Sequence, residues 1–319
     1  MSIWQSFREG GRRVLEARGL AGWLYLASLV ASLPLTLALA MILRRSLGAS
    51  LVADNLRGGF SLGWYGEFAF NQTGLADSFG PWVTGILPVL ENLEGLLGGE
   101  PPTGDWTLLL AGMVFLLVWA FFGGGIVDRY ASPEEAHSRG RLFAKSGEYF
   151  FRFVRLLVIS ALFYAAVFRW VGQPLHRRVE EWTRDVTSEQ TVLLLTLVVY
   201  LVVGVLLVLV SMAADYGKIA LVIEQRRSAL LAFLRGLRFV FSRPGKTSGL
   251  YALLLAVGLV LVVLYGVVAP GPGQRVWWSV LAAFLVGQVY VVARLGLKLW
   301  FLSSQTVLFQ SAEMPPAAN

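Results

Sequence analysis

The chain contains no cysteine. Disulfides, thiolate metal sites, cysteine-held iron–sulfur clusters and thiol catalysis are thereby excluded. Histidine is nearly as scarce, at two residues, His137 and His176. Charge is thin too. Only 15% of residues are charged, against about 25% in a typical soluble domain. No Walker A loop, Gly-x-Ser-x-Gly elbow or Rossmann fingerprint occurs. No Asp, Glu, Lys or His falls near the middle of any long apolar run, where pumps and intramembrane enzymes usually carry theirs. No catalytic residue, metal or cofactor is therefore expected, and the expected role is non-enzymatic.

What the chain has in abundance is hydrocarbon. Of its 319 residues, 56% are hydrophobic, and the mean hydropathy is +0.64. The apolar residues cluster in six runs, at 20–43, 107–127, 150–171, 192–214, 249–268 and 276–299. About 20 residues at roughly 1.5 Å each cross a hydrocarbon core of about 30 Å, and a helix satisfies its own backbone there. The expected fold is all-α and polytopic, with six transmembrane helices and amphipathic helices at the interface. Arg152 and Arg155 open the third run, where their side chains can snorkel toward head groups. The first run exceeds the roughly 7–15 apolar residues of a signal peptide, so it reads as a retained anchor.

Counting basic residues on alternate sides orients the chain. Of 27 Lys and Arg, 19 fall with the two ends and the 128–155 and 215–246 loops. The positive-inside rule places these parts in the cytoplasm, together with both termini. Only four of the basic residues are lysine, in a chain rich in Ala, Gly, Leu and Val. That usage suits a GC-rich bacterial genome, and hence a bacterial inner membrane. The net +7 then reads as a basic cytoplasmic face rather than a nucleic-acid patch. Anionic lipid head groups are its simplest partner, with other membrane subunits as a further one.

Residues 226–246 carry the clearest pattern. Leu230, Leu231, Phe233, Leu234, Leu237, Val240 and Phe241 recur at helical spacing, with Arg235 and Arg238 between them. Ser228 is a candidate cap and Pro244-Gly245 a candidate stop. Such a helix would lie along the inner head-group layer. With Arg226, Arg227, Arg243, Arg152 and Arg155 it forms a basic, aromatic collar suited to lipids or a partner. Asp215 and Lys218 stand three apart on one helical face, as do Glu224 and Arg227. Asp128 and Arg129 hold the matching place in the second run. All four of Asp215, Lys218, Asp128 and Arg129 read as structural ion-pair residues, on the expectation that the fourth helix continues to about Arg227.

A repeat runs through these segments. VLEARGLAGWLY (14–25) and VFSRPGKTSGLY (240–251) share four of twelve positions without a gap. Val14, Val154 and Val240 each follow an Arg-x step and precede a tyrosine, Tyr25, Tyr164 and Tyr251. Three units are expected, 1–128, 139–218 and 226–302, each a surface helix followed by a helical hairpin. Residues 44–106 form an extracytoplasmic insertion rich in glycine and aromatics. Short helices near 64–70 and 81–97 would lie over the outer end, as a lid over a cavity or a plug shielding helix ends. Gly123-Gly124-Gly125 would permit close helix packing or a kink. Pro34 would kink the first span. Within the membrane Gln288, Tyr200 and Tyr164 are the candidate polar site; an interhelical hydrogen bond is the plainer role for the amide.

The stretches DYGKIALVIEQRRS (215–228) and GLRFVFSRPGKTSGLY (236–251), with FGGGIVDRYA and GQVYVVARLGLKLWF, carry a resemblance. They are similar to a group of uncharacterised bacterial inner-membrane proteins. Those proteins have a comparable Asp-Tyr-x-Lys-Ile segment, then Glu-x-Arg-Arg-Ser, Arg-Phe-Val and Arg-Pro. The layout also resembles the membrane domain attached to some glycerophosphodiester phosphodiesterases. The resemblance implies a multi-span fold and a membrane, and no reaction. The expected function is a scaffold or accessory subunit binding lipids or a partner complex through the collar. The alternative is a permease for a lipid-like or small neutral substrate. A lipid-modifying enzyme would rest only on His176 with Glu180 and Glu181, a pattern that more simply reads as a solvated helix face.

Overall fold

The computed structural model describes residues 1–48, 61–71, 74–76, 79, 86–99, 106–134, 138–269 and 276–313. These form helices and, among the described residues, no strand. In chain order they are α1 (Ile3–Glu16), α2 (Arg18–Gly48), α3 (Leu62–Asn71), α4 (Ile86–Gly98), α5 (Trp106–Ala131), α6 (Arg139–Val167), α7 (Gln173–Thr183), α8 (Glu189–Ile223), α9 (Ala229–Ser242), α10 (Pro244–Val268) and α11 (Trp277–Glu313). A π turn, Phe168–Gly172, joins α6 to α7 without a break. Six helices are long and apolar enough to cross a membrane: α2, α5, the continuous α6–α7, α8, α10 and α11. The protein is an all-α, polytopic membrane protein.

Helix boundaries depart from expectation at the basic end. Third-run helix α6 starts at Arg139, capped by Ser138, so surface segment and span are one rod. The long α8 stops at Ile223 rather than near Arg227, because Gln225 takes a left-handed conformation, φ 48°. Ser228 does cap α9, its Oγ accepting from the Leu231 amide. Pro244 does not act as a stop; it is the first residue of α10, where a missing N–H costs nothing and the fixed φ suits a first turn. The last helix runs on past residue 299 to Glu313. In α2 the helix runs unbroken through Pro34.

The buried residues collect at this same end. Tyr130, Tyr149, Ile126, Leu156, Met212, Tyr216, Ile219, Phe233, Phe239 and Phe309 are among its largest fully buried side chains. Tyr216, Phe239 and Phe309 meet in an aromatic cluster, with ring centroids 4.7 and 4.9 Å apart about Phe239. Farther along the spans the apolar side chains turn outward. The most apolar window of α2 has none of its residues buried, and that of α10 has 6%. Hydrocarbon must cover these faces, since lipid tails solvate leucine as well as another leucine does.

Three close junctions build the packed end. Gly123, Gly124 and Gly125 of α5 receive the first half of α6. A Cβ on Gly124 would lie 2.6 Å from Tyr149 Cβ, and one on Gly125 would lie 2.6 Å from the Leu142 carbonyl oxygen. Gly236 of α9 presses on α8, where a Cβ would lie 2.2 Å from the Ala213 carbonyl oxygen. Gly10 of α1 presses on α11, where a Cβ would lie 2.7 Å from Ser304 Cα. These three are the most extensive helix–helix interfaces among the described residues. In each, the second span of one sequence unit is held by the leading segment of the next. The leading helix α1 of the first unit holds α11 of the third, so the three units close into a ring.

The insertion divides between two places. Trp64 and Phe68 of α3 pack with Ala76 and Phe79 against Ile42, Leu43 and Leu47 at the end of α2. Leu97 of α4 packs on Val179, Val199 and Val203, and Gln173 Nε2 donates to the Leu96 carbonyl at 3.4 Å. Each helix thus covers a different span end. The 81–85 part of the second expected helix lies outside the described residues.

Candidate functional site: a basic collar on the packed end

The collar is built on helix ends that the sequence caps and neutralises. Ser2 and Gln5 form a capping box at the start of α1. Trp300 Nε1 donates to the Phe7 carbonyl at 2.9 Å, and the two rings lie 4.5 Å apart. Arg13 donates to the Tyr130 carbonyl and to Gln310 Oε1, and Gln310 Nε2 donates to the Ala131 carbonyl at 2.7 Å. These bonds satisfy the last carbonyls of α5, which a helix otherwise leaves open.

The carboxylates of this end are nearly all engaged. Lys218 Nζ donates to Asp215 Oδ1 at 2.7 Å, the i, i+3 pair expected; Gln305 Nε2 reaches the other oxygen at 3.5 Å. Asp128 is held by Arg141, 3.0 Å away across the α5–α6 turn, and not by its neighbour Arg129. Glu224 pairs with Arg226 and, at 3.0 Å, with Arg235; Arg235 also holds Glu313. The expected Glu224–Arg227 pair does not form, because the helix has ended and the chain turns at Gln225. Glu148 takes Lys145, and Glu9 takes Arg12 and Arg13.

The collar arginines therefore divide. Arg235 and Arg226 are tied into ion pairs. Arg152 lies 5.2 Å from the Tyr149 ring centroid, and Arg243 lies 5.5 Å from that of Phe239. Arg155, Arg227 and Arg238 are exposed and make no ion pair among the described residues. The apolar stripe of α9 divides as well. Phe233, Phe239 and Val240 are buried with Ala232 and Gly236, whereas Leu230, Leu231, Leu234 and Phe241 are exposed. The helix is thus a packing element with an apolar outer edge, rather than a helix lying only on lipid. Sequence reading missed its small-residue face; Ala232 and Gly236, four apart, facing Ala213 and Gly217, also four apart, were the available signal.

The membrane-level polar candidates do not meet in one site. Tyr25 donates to Gln288 Oε1 at 2.7 Å, bridging α2 and α11. Tyr251 donates to Ser211 Oγ at 3.3 Å, and Tyr164 approaches the same hydroxyl. Tyr200 packs in the separate cluster of Leu97, Val199 and Val203. The three tyrosines of the repeat thus each reach a polar group on α8 or α11. Among the described residues His176 pairs with Glu180, at 3.4 Å; His137 lies outside them. No group of three or more His, Asp or Glu suited to a metal occurs among the described residues.

Two cavities open at the edge of the collar. One, of about 300 Å³, is lined by Arg243, Lys246, Ser311 and Met1. The other, of about 250 Å³, is lined by Arg129, Arg139, Arg141 and Trp23, with Asp128 and Glu16. No family model, curated protein or solved structure matches this chain.

Proposed function

We propose that this protein is a non-enzymatic scaffold or accessory subunit of a bacterial inner membrane. Its packed end faces the cytoplasm with both termini, and its basic, aromatic collar binds anionic lipid head groups and the surface of a partner complex. One observation carries the reading. Nearly all of the collar's carboxylates are spent on internal pairs, so Arg155, Arg227, Arg238 and Lys246, which make no ion pair among the described residues, stand as excess positive charge. Next to them stand the exposed apolar side chains Leu230, Leu231, Leu234 and Phe241. Cations beside exposed hydrocarbon suit the boundary between head groups and acyl chains.

A permease would need Gln288, Tyr200 or Tyr164 to border a common cavity. Their separate engagements with Tyr25, an apolar cluster and Ser211 lend it no support. Intact mass spectrometry of protein extracted in mild detergent tests the proposal. Retained anionic phospholipid or a co-purified subunit is expected. A bare monomer, free of both, overturns it.

A further inference from the structure

The two cavities occupy the same position in the repeated unit. The larger sits at the corner between α9 and α10, beneath the end of α11 and the start of α1. The smaller sits at the corner between α1 and α2, beneath the end of α5 and the start of α6. Each is therefore bounded by one unit's surface-helix corner, that unit's second span, and the first residues of the next unit. The middle unit has no corner, because α6 is continuous.

Their chemistry agrees as well as their place. No carboxylate lines the larger cavity, while Arg243 and Lys246 do. The Arg243 guanidinium donates to the Ala312 carbonyl near the end of α11, 3.2 Å away. Lys246 is exposed and makes no ion pair among the described residues. In the smaller cavity Asp128 is neutralised by Arg141 and Glu16 is approached by Arg12, so the lining keeps a net positive charge and Arg129 and Arg139 make no ion pair among the described residues. Both cavities also adjoin first turns: Lys246 is in that of α10, and Arg139 in that of α6. The helix dipole favours an anion at both places, while at α10 Pro244 has no N–H and the Lys246 amide is bonded to the Arg243 carbonyl, so the Arg243 and Lys246 side chains carry that site. Depth agrees too. Lys246 precedes the apolar part of α10, and Trp23 stands at the start of the apolar part of α2, at the level aromatic belts occupy.

We propose that each corner cavity is a binding site for a phosphate-bearing anion, and that the larger is organised by Arg243 and Lys246 and the smaller by Arg129 and Arg139. The volumes, about 250 to 300 Å³, stand near the lower limit for small-ligand sites and suit a head group more than a whole lipid. The inference deepens the collar reading and rests on it for the depth of the sites.

The test uses the full chain, delipidated in detergent, with phosphatidylglycerol, phosphatidylcholine or inorganic phosphate added and bound adducts counted by native mass spectrometry. Wild type should hold two phosphatidylglycerol molecules under conditions that strip phosphatidylcholine. Lys246→Glu or Arg139→Glu should each remove one, and the pair should remove both. Either acid would sit in a helix first turn, where it favours the helix, so folding should survive; melting curves check this. The milder Lys246→Gln should weaken retention about fivefold, the worth of one lysine near an anionic surface. Displacement of the lipid by inorganic phosphate, with the same dependence on Lys246, would assign the sites to the free anion. Retention in phosphate assigns them to the lipid. Phosphatidylglycerol binding that ignores all three substitutions overturns the corner sites while leaving the collar standing. Failure of wild type to hold any of the three probes overturns both the sites and the collar's lipid-binding role. Equal retention of phosphatidylcholine overturns the sites.

Discussion

The two ends of the same helices differ more than any two helices do. At the basic end α5, α8 and α11 are gripped by leading segments through glycine contacts, and Tyr216, Phe239 and Phe309 are fully buried. Toward the other end the helices are more apolar, yet Leu197, Leu201 and Val205 of α8 stand exposed. Burial thus does not follow hydropathy, since Tyr216, Phe239 and Phe309 lie outside the six apolar runs; small residues and water decide it. Apolar side chains gain by leaving water, but gain little by leaving lipid for one another. Close packing therefore develops where Gly and Ala let backbones approach and where the solvent is partly aqueous.

The sharpest way to break this contrast is to give a junction glycine a side chain. Gly236→Val would drive its Cβ into the Ala213 carbonyl and the Gly217 amide nitrogen, both backbone atoms that cannot rotate away. A loss of about 3 kcal/mol is expected, at the upper range for overpacking. It would read as loss of the monodisperse species after mild heating in detergent. Gly204→Ala, in the outer half of α8 with nothing within 4 Å of the added carbon, should change stability by less than about 0.5 kcal/mol. Equal effects at the two sites would abolish the distinction between the ends.

A smaller effect tests the polar contacts between spans. The Tyr25–Gln288 hydrogen bond links α2 to α11 within the apolar runs. Gln288→Leu should cost about 0.6 kcal/mol, the average for such bonds between membrane helices. A Tyr25→Phe/Gln288→Leu cycle measures the coupling directly. A loss of several kcal/mol would mean that the spans are held to one another by polar contacts rather than left to lipid.

Much of this contrast was legible in the chain itself. Six apolar runs gave the six spans, Ser228 gave the cap of α9, and Asp215 with Lys218 gave an ion pair. The recurring valine–tyrosine spacing suggested three units; leading segments do hold second spans, but in the middle one the leading segment is the start of α6 and not a separate surface helix. What escaped was decided by tertiary contact. Arg235 reads as a lipid ligand until Glu224 and Glu313, 11 and 78 residues away, take it up. The span of α9 facing α8 is chosen by Ala232 and Gly236, which hydrophobic spacing passes over. Pro244 closes a helix by rule and opens one here, because the residue before it had already left the helix.

The smallest expected effect separates the ends by pH. Glu9 accepts from Arg12 Nε at 2.9 Å and Nη2 at 2.8 Å, and from Arg13 Nε at 3.1 Å. The Arg12 hydrogen bonds hold its carboxyl below the usual 4.5, aided by Arg13 and opposed by partial burial. Between the depressed folded value and 4.5 the unfolded chain binds more protons, so stability rises with pH in that interval. The contribution of Glu9 is complete above about pH 4.5 and is lost as pH falls through the folded value. Because Arg13 also fastens α1 to Tyr130 and Gln310, that loss loosens the seating of α1 on α5 and α11. Melting temperatures of wild type and Glu9→Gln should therefore differ by a constant amount from pH 7 down to 5, then converge in acid. The Gln288→Leu deficit involves no titrating group in this range and should stay level across the same series. A Glu9→Gln deficit that persists undiminished below the folded value would show that its carboxylate charge does not support the packed end.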